Sequence, residues 1–198
     1  MTEKLKRLLS GRELMIGGHR GMSEKYPENT LPAVIHAAQL GVDLIEIDIY
    51  LSKDGIPVLA HDQKLERCSD GTGLVYEKTL EELKQLDFGG FKGKAFEGTR
   101  LPTLEEFFQV MLGYPDVLID VDVKPYPDDI RCARKAVELA KRMDILDRCI
   151  FNSIDCDVVE ELYALVGRRI VGAPDFYPWI KNFRPGPDGT FSKLWAVC

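Results

Sequence analysis

The sequence lacks several features that would define its class at once. It has five cysteines, an odd number with no CxxC pair, so neither a disulfide framework nor a zinc cluster is predicted and thiols are expected. It also has no long apolar run. Residues 1–13 contain only a short apolar segment among basic residues, which is typical of neither a signal peptide nor a membrane span. We therefore predict a cytoplasmic location and no stable membrane insertion.

Basic residues are too few and too scattered to indicate a nucleic-acid partner. Lys and Arg number 26 against 32 Asp and Glu, which gives a formal net charge of −6. Such a chain repels anions, so an anionic substrate must be attracted by a few local cations or by a bound metal ion. The composition, 45% hydrophobic and 29% charged, is that of a folded protein. With 198 residues, a single domain over 1–198 is expected.

Apolar runs and helical patterns alternate along the chain and predict an α/β fold. The predicted strands lie at 14–18, 43–51, 117–123, 148–152 and 169–173, with an extended piece at 57–61. Helices are predicted from Thr30 and Thr103 and over 128–143 and 155–166. This order is typical of a parallel sheet covered by helices, either doubly wound or closed into a barrel. Glycines interrupt the pattern between 62 and 100 around one short helix begun by Thr79, which predicts an inserted flap, 62–100.

Two of the predicted strands place acidic side chains on one face. Isoleucines alternate with Glu46 and Asp48 in the first, and valines alternate with Asp120, Asp122 and Lys124 in the second. An antiparallel strand with one wet face would show the same alternation, but inside a barrel unpaired charges need a cation. Glu46, Asp48 and Asp122 form an all-oxygen set suited to Mg²⁺ or Ca²⁺, with Lys124 directed at a phosphate. Asp120 lies deeper, where either metal contact or hydrogen bonding is open.

Two of the three histidines directly follow predicted strands. His19 comes after two glycines and His61 after a short apolar run, whereas His36 lies inside the first helix, where a packing or surface role is expected. His19 alone is as readily a structural residue as a functional one. Together, His19 and His61 supply the general acid and the general base that catalysis near neutral pH requires.

Six short motifs, taken in order, resemble those of the glycerophosphodiester phosphodiesterase family. They are His19-Arg20-Gly21, Glu28-Asn29-Thr30, Glu46-x-Asp48, Lys53-Asp54-Gly55, His61-Asp62 and Asp122-x-Lys124. One such motif would be weak evidence, but several in the same order make a chance match improbable. The resemblance, strong over 14–125, implies a TIM (β/α)8-type barrel, a flap inserted after the second strand and a divalent metal at the mouth formed by the strands' carboxyl ends.

The resemblance also implies a role for each matching residue. The implied metal ligands are Glu46, Asp48 and Asp122, the acid–base pair is His19 and His61, and the phosphate contacts are Arg20 and Lys124. Glu28 is the residue of its motif expected to reach the substrate, while Thr30 can cap the first helix. The implied activity is metal-dependent hydrolysis of a glycerophosphodiester to glycerol 3-phosphate and an alcohol, a reaction of lipid and glycerol metabolism.

Two departures from the family keep alternatives open. The family usually has Glu where this chain has Asp122, a side chain shorter by one methylene, so the choice between Mg²⁺ and Ca²⁺ is undecided. A TIM barrel usually takes about 250 residues, and even a late strand at 193–198 leaves the C-terminal end incomplete. The barrel is then open, truncated, or covered at its edge in a homo-oligomer. Alternative functions are a lysophospholipase-D-like or cyclising phosphodiester lyase, and a catalytically weak phosphate-binding barrel.

Overall fold

The computed structural model describes residues 2–10, 15–125 and 127–167. The strands are β1 (Gly17–His19), β2 (Leu44–Leu51), β3 (Pro57–Leu59), β4 (Leu118–Val123) and β5 (Cys149–Asn152). The helices are α1 (Glu3–Ser10), α2 (Leu31–Gln39), α3 (Leu80–Gln85), α4 (Leu104–Met111), α5 (Asp129–Arg142) and α6 (Cys156–Val166). The strands predicted at 169–173 and 193–198 lie outside the described residues.

Four strands form a parallel sheet in the order β1-β2-β4-β5. Helices α2, α5 and α6 follow β1, β4 and β5, and α4 follows the segment predicted as the flap. The short β3 pairs antiparallel with the end of β2, an arrangement that the extended pattern at 57–61 did not specify. The predicted α/β class with a parallel sheet is confirmed, and across the described residues the sheet is open, as in an incomplete barrel.

The alternation in β2 and β4 separates an apolar face from an acidic one. Ile45, Ile47 and Ile49 of β2 are fully buried in the main core together with Phe107 and Phe108 of α4. The alternate residues of β2 and β4 face the other way and carry the carboxylates. Hydrophobic burial therefore fixes the register, because a one-residue slip would exchange the isoleucines with the acids.

Helix α1 packs near the amino ends of the strands, on the same face as the acids. Leu5 is fully buried and contacts a small cluster formed by Leu44, Leu118 and Ile150. This helix was not predicted from the sequence, although Leu5, Leu8 and Leu9 recur at the i, i+3, i+4 spacing that is typical of an amphipathic helix. Among the described helices, none combines the length and apolar character needed to cross a membrane. The described cysteines form no disulfide bond.

Residues 62–100, which we call the flap, pack near the carboxyl end of β2. Leu65, Val75 and Leu83 of the flap are buried in a separate apolar cluster with Tyr50 of β2 and Val58 of β3. Helix α3 begins within the flap at the predicted capping box of Thr79 and Glu82. The flap thus has a small core of its own, placed where β2 delivers its acidic residues. Its boundaries, and the single domain over 1–198, stay predictions.

The two predicted helix starts outside the flap differ in outcome. Thr103 caps α4 and forms a reciprocal capping box with Glu106, as the spacing predicts. Thr30 occupies the capping position of α2, but its hydroxyl donates to the Pro27 carbonyl at 2.6 Å and makes no cap hydrogen bond. The predicted position of Thr30 at the start of α2 is therefore confirmed, whereas the side-chain cap hydrogen bond does not form.

Arg148 links the end of α4 to the start of β5. Its largely buried guanidinium donates to the carbonyls of Tyr114 at 2.7 Å and Val117 at 2.8 Å, and also to Met111. Arg148→Met leaves these carbonyls without that donor, so we expect the free energy of unfolding, measured by urea denaturation, to fall by about 2–4 kcal/mol.

The matched control is Arg142→Met, which removes an exposed ion pair with Glu105. Such pairs contribute at most about 1 kcal/mol. Equal losses in the Arg148 and Arg142 variants would contradict the argument.

Candidate active site

Three carboxylates meet where β2 and β4 lie side by side. The parallel register pairs Asp48 with Asp122, and Glu46 lies two residues before Asp48 on the same face. One carboxylate oxygen from each of the three lies within 4.8 Å of the others. Asp48 is 1% exposed and Asp122 is 8% exposed. The structure thus brings together the set that the sequence proposed as metal ligands.

The electrostatics of this carboxylate cluster favour a bound cation. Burial, reinforced by Asp48 and Asp120, raises the pKa of Glu46 to about 9. Burial likewise raises the pKa of Asp122. The Oδ1 atom of Asp122 is buried without a hydrogen-bond partner among the described residues. Carboxylate oxygens that lack a partner suit Mg²⁺ or Ca²⁺, so the residues present fit such an ion.

Two basic side chains border the carboxylate cluster. The Nζ atom of Lys124 lies 2.7 Å from Asp48 Oδ1 and 2.5 Å from Asp122 Oδ2. Burial opposes the charge on Lys124, but these two aspartates outweigh it and raise the pKa of the ammonium. Arg20 Nε lies 3.2 Å from Asp48 Oδ2, and the Arg20 backbone N–H donates to Glu46 at 2.8 Å. Fixed positive charge therefore lies beside the acids, where an anion can be bound.

Asn29 holds the Asp48 carboxylate in place. Its Nδ2 donates to Asp48 Oδ2 at 2.7 Å, and its Oδ1 accepts from the Asp48 backbone N–H at 3.1 Å. The backbone of Asn29 is left-handed, with φ 55°, a conformation that Asn tolerates better than most residues. The loop after β1 thereby fixes one of the three carboxylates.

The two candidate acid–base histidines lie near the same cluster. His19 ends β1, and its Nε2 is 3.9 Å from Glu46 Oε2. Burial, followed by the charge of Arg20, lowers the pKa of His19. His61 follows β3, and its Nδ1 lies 2.6 Å from Asp62 Oδ1. His36 is elsewhere, with its ring centroid 4.6 Å from that of Tyr26, which agrees with the expected packing role.

Asp120 lies two residues before Asp122 in β4, is half-buried, and is outside the set of oxygens within 4.8 Å. Burial, then Asp122 and Asp48, raise its pKa to about 8. Its Oδ1 has no hydrogen-bond partner among the described residues. Of the two roles left open by the sequence, hydrogen bonding is thus not observed at Oδ1, and metal contact stays a prediction.

Arg67 of the flap joins two candidate site residues, and the sequence analysis missed it. Its Nη1 and Nη2 donate to the two oxygens of Glu28 at 2.8 Å each, and its Nε donates to Asp62. Glu28 also accepts from Arg20 at 2.9 Å. Burial alone would raise the pKa of Glu28, but Arg67 and Arg20 lower it to about 2. Local spacing gave no signal for Arg67, because 39 residues separate it from Glu28.

Comparison with known proteins points to one family. The Glycerophosphoryl diester phosphodiesterase family model matches residues 19–165. The chain is 38% identical over 145 residues to a glycerophosphodiester phosphodiesterase of Caldanaerobacter subterraneus subsp. tengcongensis, covering 71% of this chain and 58% of that protein. It is 34% identical over 183 residues to human glycerophosphodiester phosphodiesterase 1, covering 89% of this chain and 53% of that protein.

Solved structures agree with the sequence comparison. A phosphodiesterase of Oleispira antarctica, solved in complex with the product sn-glycerol-3-phosphate, superposes with a TM-score of 0.76 at 35% identity, covering 83% of this chain and 66% of that one. A glycerophosphodiester phosphodiesterase of Agrobacterium tumefaciens gives a TM-score of 0.71 at 28% identity, covering 81% and 66%. The chain spans between about half and two thirds of the length of these relatives.

Proposed function

Because the chain belongs to the glycerophosphoryl diester phosphodiesterase family, a family of TIM-type barrels, we propose that it hydrolyses glycerophosphodiesters to glycerol 3-phosphate and an alcohol. We propose further that this reaction depends on Mg²⁺ or Ca²⁺. The observation that carries the proposal is the carboxylate cluster of Glu46, Asp48 and Asp122 bordered by Lys124 and Arg20. The family match, residues 19–165, contains all five. An all-oxygen site with two adjacent cations suits a phosphodiester and a hard metal ion together.

Two local cations offset the repulsion between the negatively charged chain and an anionic substrate. A net charge of −6 repels a phosphodiester, but Arg20 and Lys124 present positive charge within a largely buried site. Attack at phosphorus adds negative charge to the phosphoryl oxygens, and donors already aimed at that position stabilise the transition state. A divalent ion held by the three carboxylates would supply Lewis-acid stabilisation of the same charge.

His19 and His61 carry the two proton transfers in this proposal. A hydroxyl oxygen, from water or from the neighbouring glycerol hydroxyl of the substrate, bonds to phosphorus and gives its proton to one histidine. The bond from phosphorus to the alcohol oxygen breaks, and the other histidine protonates that oxygen. Attack by water gives glycerol 3-phosphate directly. Attack by the glycerol hydroxyl gives a cyclic phosphate, and water must then bond to phosphorus while one ring P–O bond breaks, with the same two proton transfers, to give glycerol 3-phosphate. Asp62 bonds the Nδ1 side of the His61 ring and leaves Nε2 as the nitrogen that can exchange a proton with substrate.

The test uses the purified chain with glycerophosphocholine or glycerophosphoethanolamine, with added Mg²⁺ or Ca²⁺ and with EDTA. We expect metal-dependent release of glycerol 3-phosphate, measured by a coupled enzyme assay, and ³¹P NMR reports any cyclic phosphate. Cleavage of a lyso-lipid to a cyclic phosphate, with the soluble diesters untouched, would replace the proposal with the lyase alternative. Phosphate binding without turnover would replace it with the weak binding barrel.

Two further predictions concern the oligomeric state of the protein and its location in the cell. A homo-oligomer that covers the open edge of the barrel predicts a mass above 22.4 kDa by light scattering. A monomeric mass would exclude that oligomer. The cytoplasmic location is tested by fractionating the source cells.

A further inference from the structure

One flap side chain, that of Arg67, is linked through carboxylates to both His61 and Arg20 of the candidate active site. Arg67 follows the buried flap residue Leu65 within a short 3₁₀ turn, and its guanidinium extends to two carboxylates that belong to different loops. Glu28 comes from the loop after β1, and Asp62 follows His61 after β3. The guanidinium presents its donors in a fixed planar fork, so it binds Glu28 through two nitrogens and Asp62 through the third in one defined geometry.

Each of those carboxylates binds a group of the proposed mechanism. Asp62 uses Oδ2 for Arg67 and Oδ1 for the Nδ1 of His61 at 2.6 Å. The hydrogen bond from Arg67, followed by that from His61, lowers the pKa of Asp62 to about 2 against the effect of burial. Asp62 thus stays ionised and oriented as the acceptor for His61.

The second carboxylate, that of Glu28, contacts Arg20, one of the two candidate phosphate-binding residues. Glu28 accepts a two-pronged hydrogen bond from Arg67 and a third from Arg20 Nη1 at 2.9 Å. The Glu28 side chain is 15% exposed and that of Arg20 is 17% exposed, so water screens the contact between these two only weakly, whereas the Arg67 side chain is 45% exposed. The position of Arg20 therefore depends on a carboxylate that Arg67 holds from the other side.

We propose that Arg67 is a positioning residue, which orients His61 through Asp62 and Arg20 through Glu28 and so makes seating of the flap a condition for catalysis. This inference rests on the proposed phosphodiesterase function and adds to it a residue outside the motifs that the sequence analysis identified. Arg67 acts through its two carboxylates and has no contact with the reacting atoms in the proposal.

A merely structural role for Arg67 can be separated from positioning with a second flap arginine. Arg100 donates to the carbonyls of Gln85 and Leu86 at 2.8 and 3.0 Å, so it stabilises the flap without contacting Glu28, Asp62 or the histidines. Arg100→Gln is the matched control for Arg67→Gln, since both remove one guanidinium from the flap.

The kinetic test compares Arg67→Gln, Arg67→Lys and Arg100→Gln with the parent chain on glycerophosphocholine. We expect Arg67→Gln to lower kcat about 10-fold or more, because catalytic groups displaced by a fraction of an ångström lose alignment, and to raise KM through Arg20. Arg67→Lys should recover part of the loss, since it keeps the charge but not the fork. Arg100→Gln should stay within about twofold of the parent, as expected for a change remote from the reacting groups.

A ring-nitrogen NMR measurement tests the positioning without any turnover. The chain has three histidines, so His61→Gln assigns the His61 signals directly. At about pH 8.5, well above the ordinary histidine value, the parent should show His61 with its proton on Nδ1, and Arg67→Gln should shift the proton toward Nε2.

The outcomes separate this inference from the proposed function. An unchanged His61 tautomer in Arg67→Gln, or equal kinetic losses in Arg67→Gln and Arg100→Gln, would overturn the positioning role. A parent chain that releases no glycerol 3-phosphate would overturn the phosphodiesterase proposal instead. In that case the tautomer shift still decides whether Arg67 orients His61.

Discussion

Replacing either His61 or His19 by Gln should lower kcat by about 10²–10⁴-fold while the fold is retained. Each variant removes one of the two proton transfers that the mechanism needs, and glutamine cannot take up or release a proton in this pH range. His19 is largely exposed at the end of β1, with its side chain 62% accessible, so its loss should not disturb the core. Steady-state hydrolysis of glycerophosphocholine measures the effect, and circular dichroism confirms the fold.

The leaving group of the substrate identifies which histidine acts as the acid. A diester that releases p-nitrophenol needs little protonation of its leaving oxygen, so the variant that lacks the acid should recover most of its rate on that substrate. The variant that lacks the base should stay slow on both substrates, because attack at phosphorus is still unassisted. Recovery in neither variant would mean that both histidines assist the nucleophile or hold the substrate.

His36→Gln is the matched control for both variants. His36, in α2, packs against Tyr26, and the Nδ1 atom of His36 lies 3.3 Å from the Tyr26 hydroxyl. Replacing His36 therefore removes no contact with a residue of the carboxylate cluster. Its kcat should stay close to that of the parent. A fall in His36→Gln comparable to that in the other two variants would show that the losses reflect general destabilisation.

The carboxylate cluster could be predicted from the sequence because strand periodicity is a local rule. Alternation with buried isoleucines puts Glu46 and Asp48 on one face, and the same rule applied to β4 puts Asp122 and Lys124 on one face. Neighbouring parallel strands then bring Asp48 opposite Asp122. Two local patterns and one packing rule were enough to gather these groups.

Contacts that depend on loop paths could not be predicted in this way. Arg67 contacts Glu28 only because the flap brings it back to the loop after β1, and the periodicity of the sequence does not predict a contact between residues 39 positions apart. The Thr30 hydroxyl donates to the Pro27 carbonyl and accepts no cap hydrogen bond, an orientation set by the geometry of the turn before α2. The antiparallel pairing of β3 was missed for a different reason, because Asp54-Gly55 in the turn between β2 and β3 is a local hairpin signal that was not used.

Asp122→Asn should abolish both the metal-dependent activity and the stabilisation of the protein by a divalent ion. The carboxylate cluster gathers three acids, two of them buried, beside the cation Lys124, and burial raises the pKa of Asp122 against the lowering effect of Lys124. An ion bound only by the folded chain stabilises it, by about 2.7 kcal/mol at a hundredfold excess over the Kd, or about 5–10 °C in Tm at this size. An amide keeps the volume of the side chain but lacks the charge that holds a hard cation.

Thermal unfolding with EDTA and with Mg²⁺ or Ca²⁺, in parallel with the hydrolysis assay, checks this expectation. Asp120→Asn is the matched control, because Asp120 is on the same face of the same strand but its oxygens lie outside the set within 4.8 Å. The parent and Asp120→Asn should gain thermal stability with the ion, and Asp122→Asn should not. If EDTA changes neither Tm nor rate in the parent, the cluster holds no functional metal, and Lys124 with Arg20 must stabilise the phosphate charge alone.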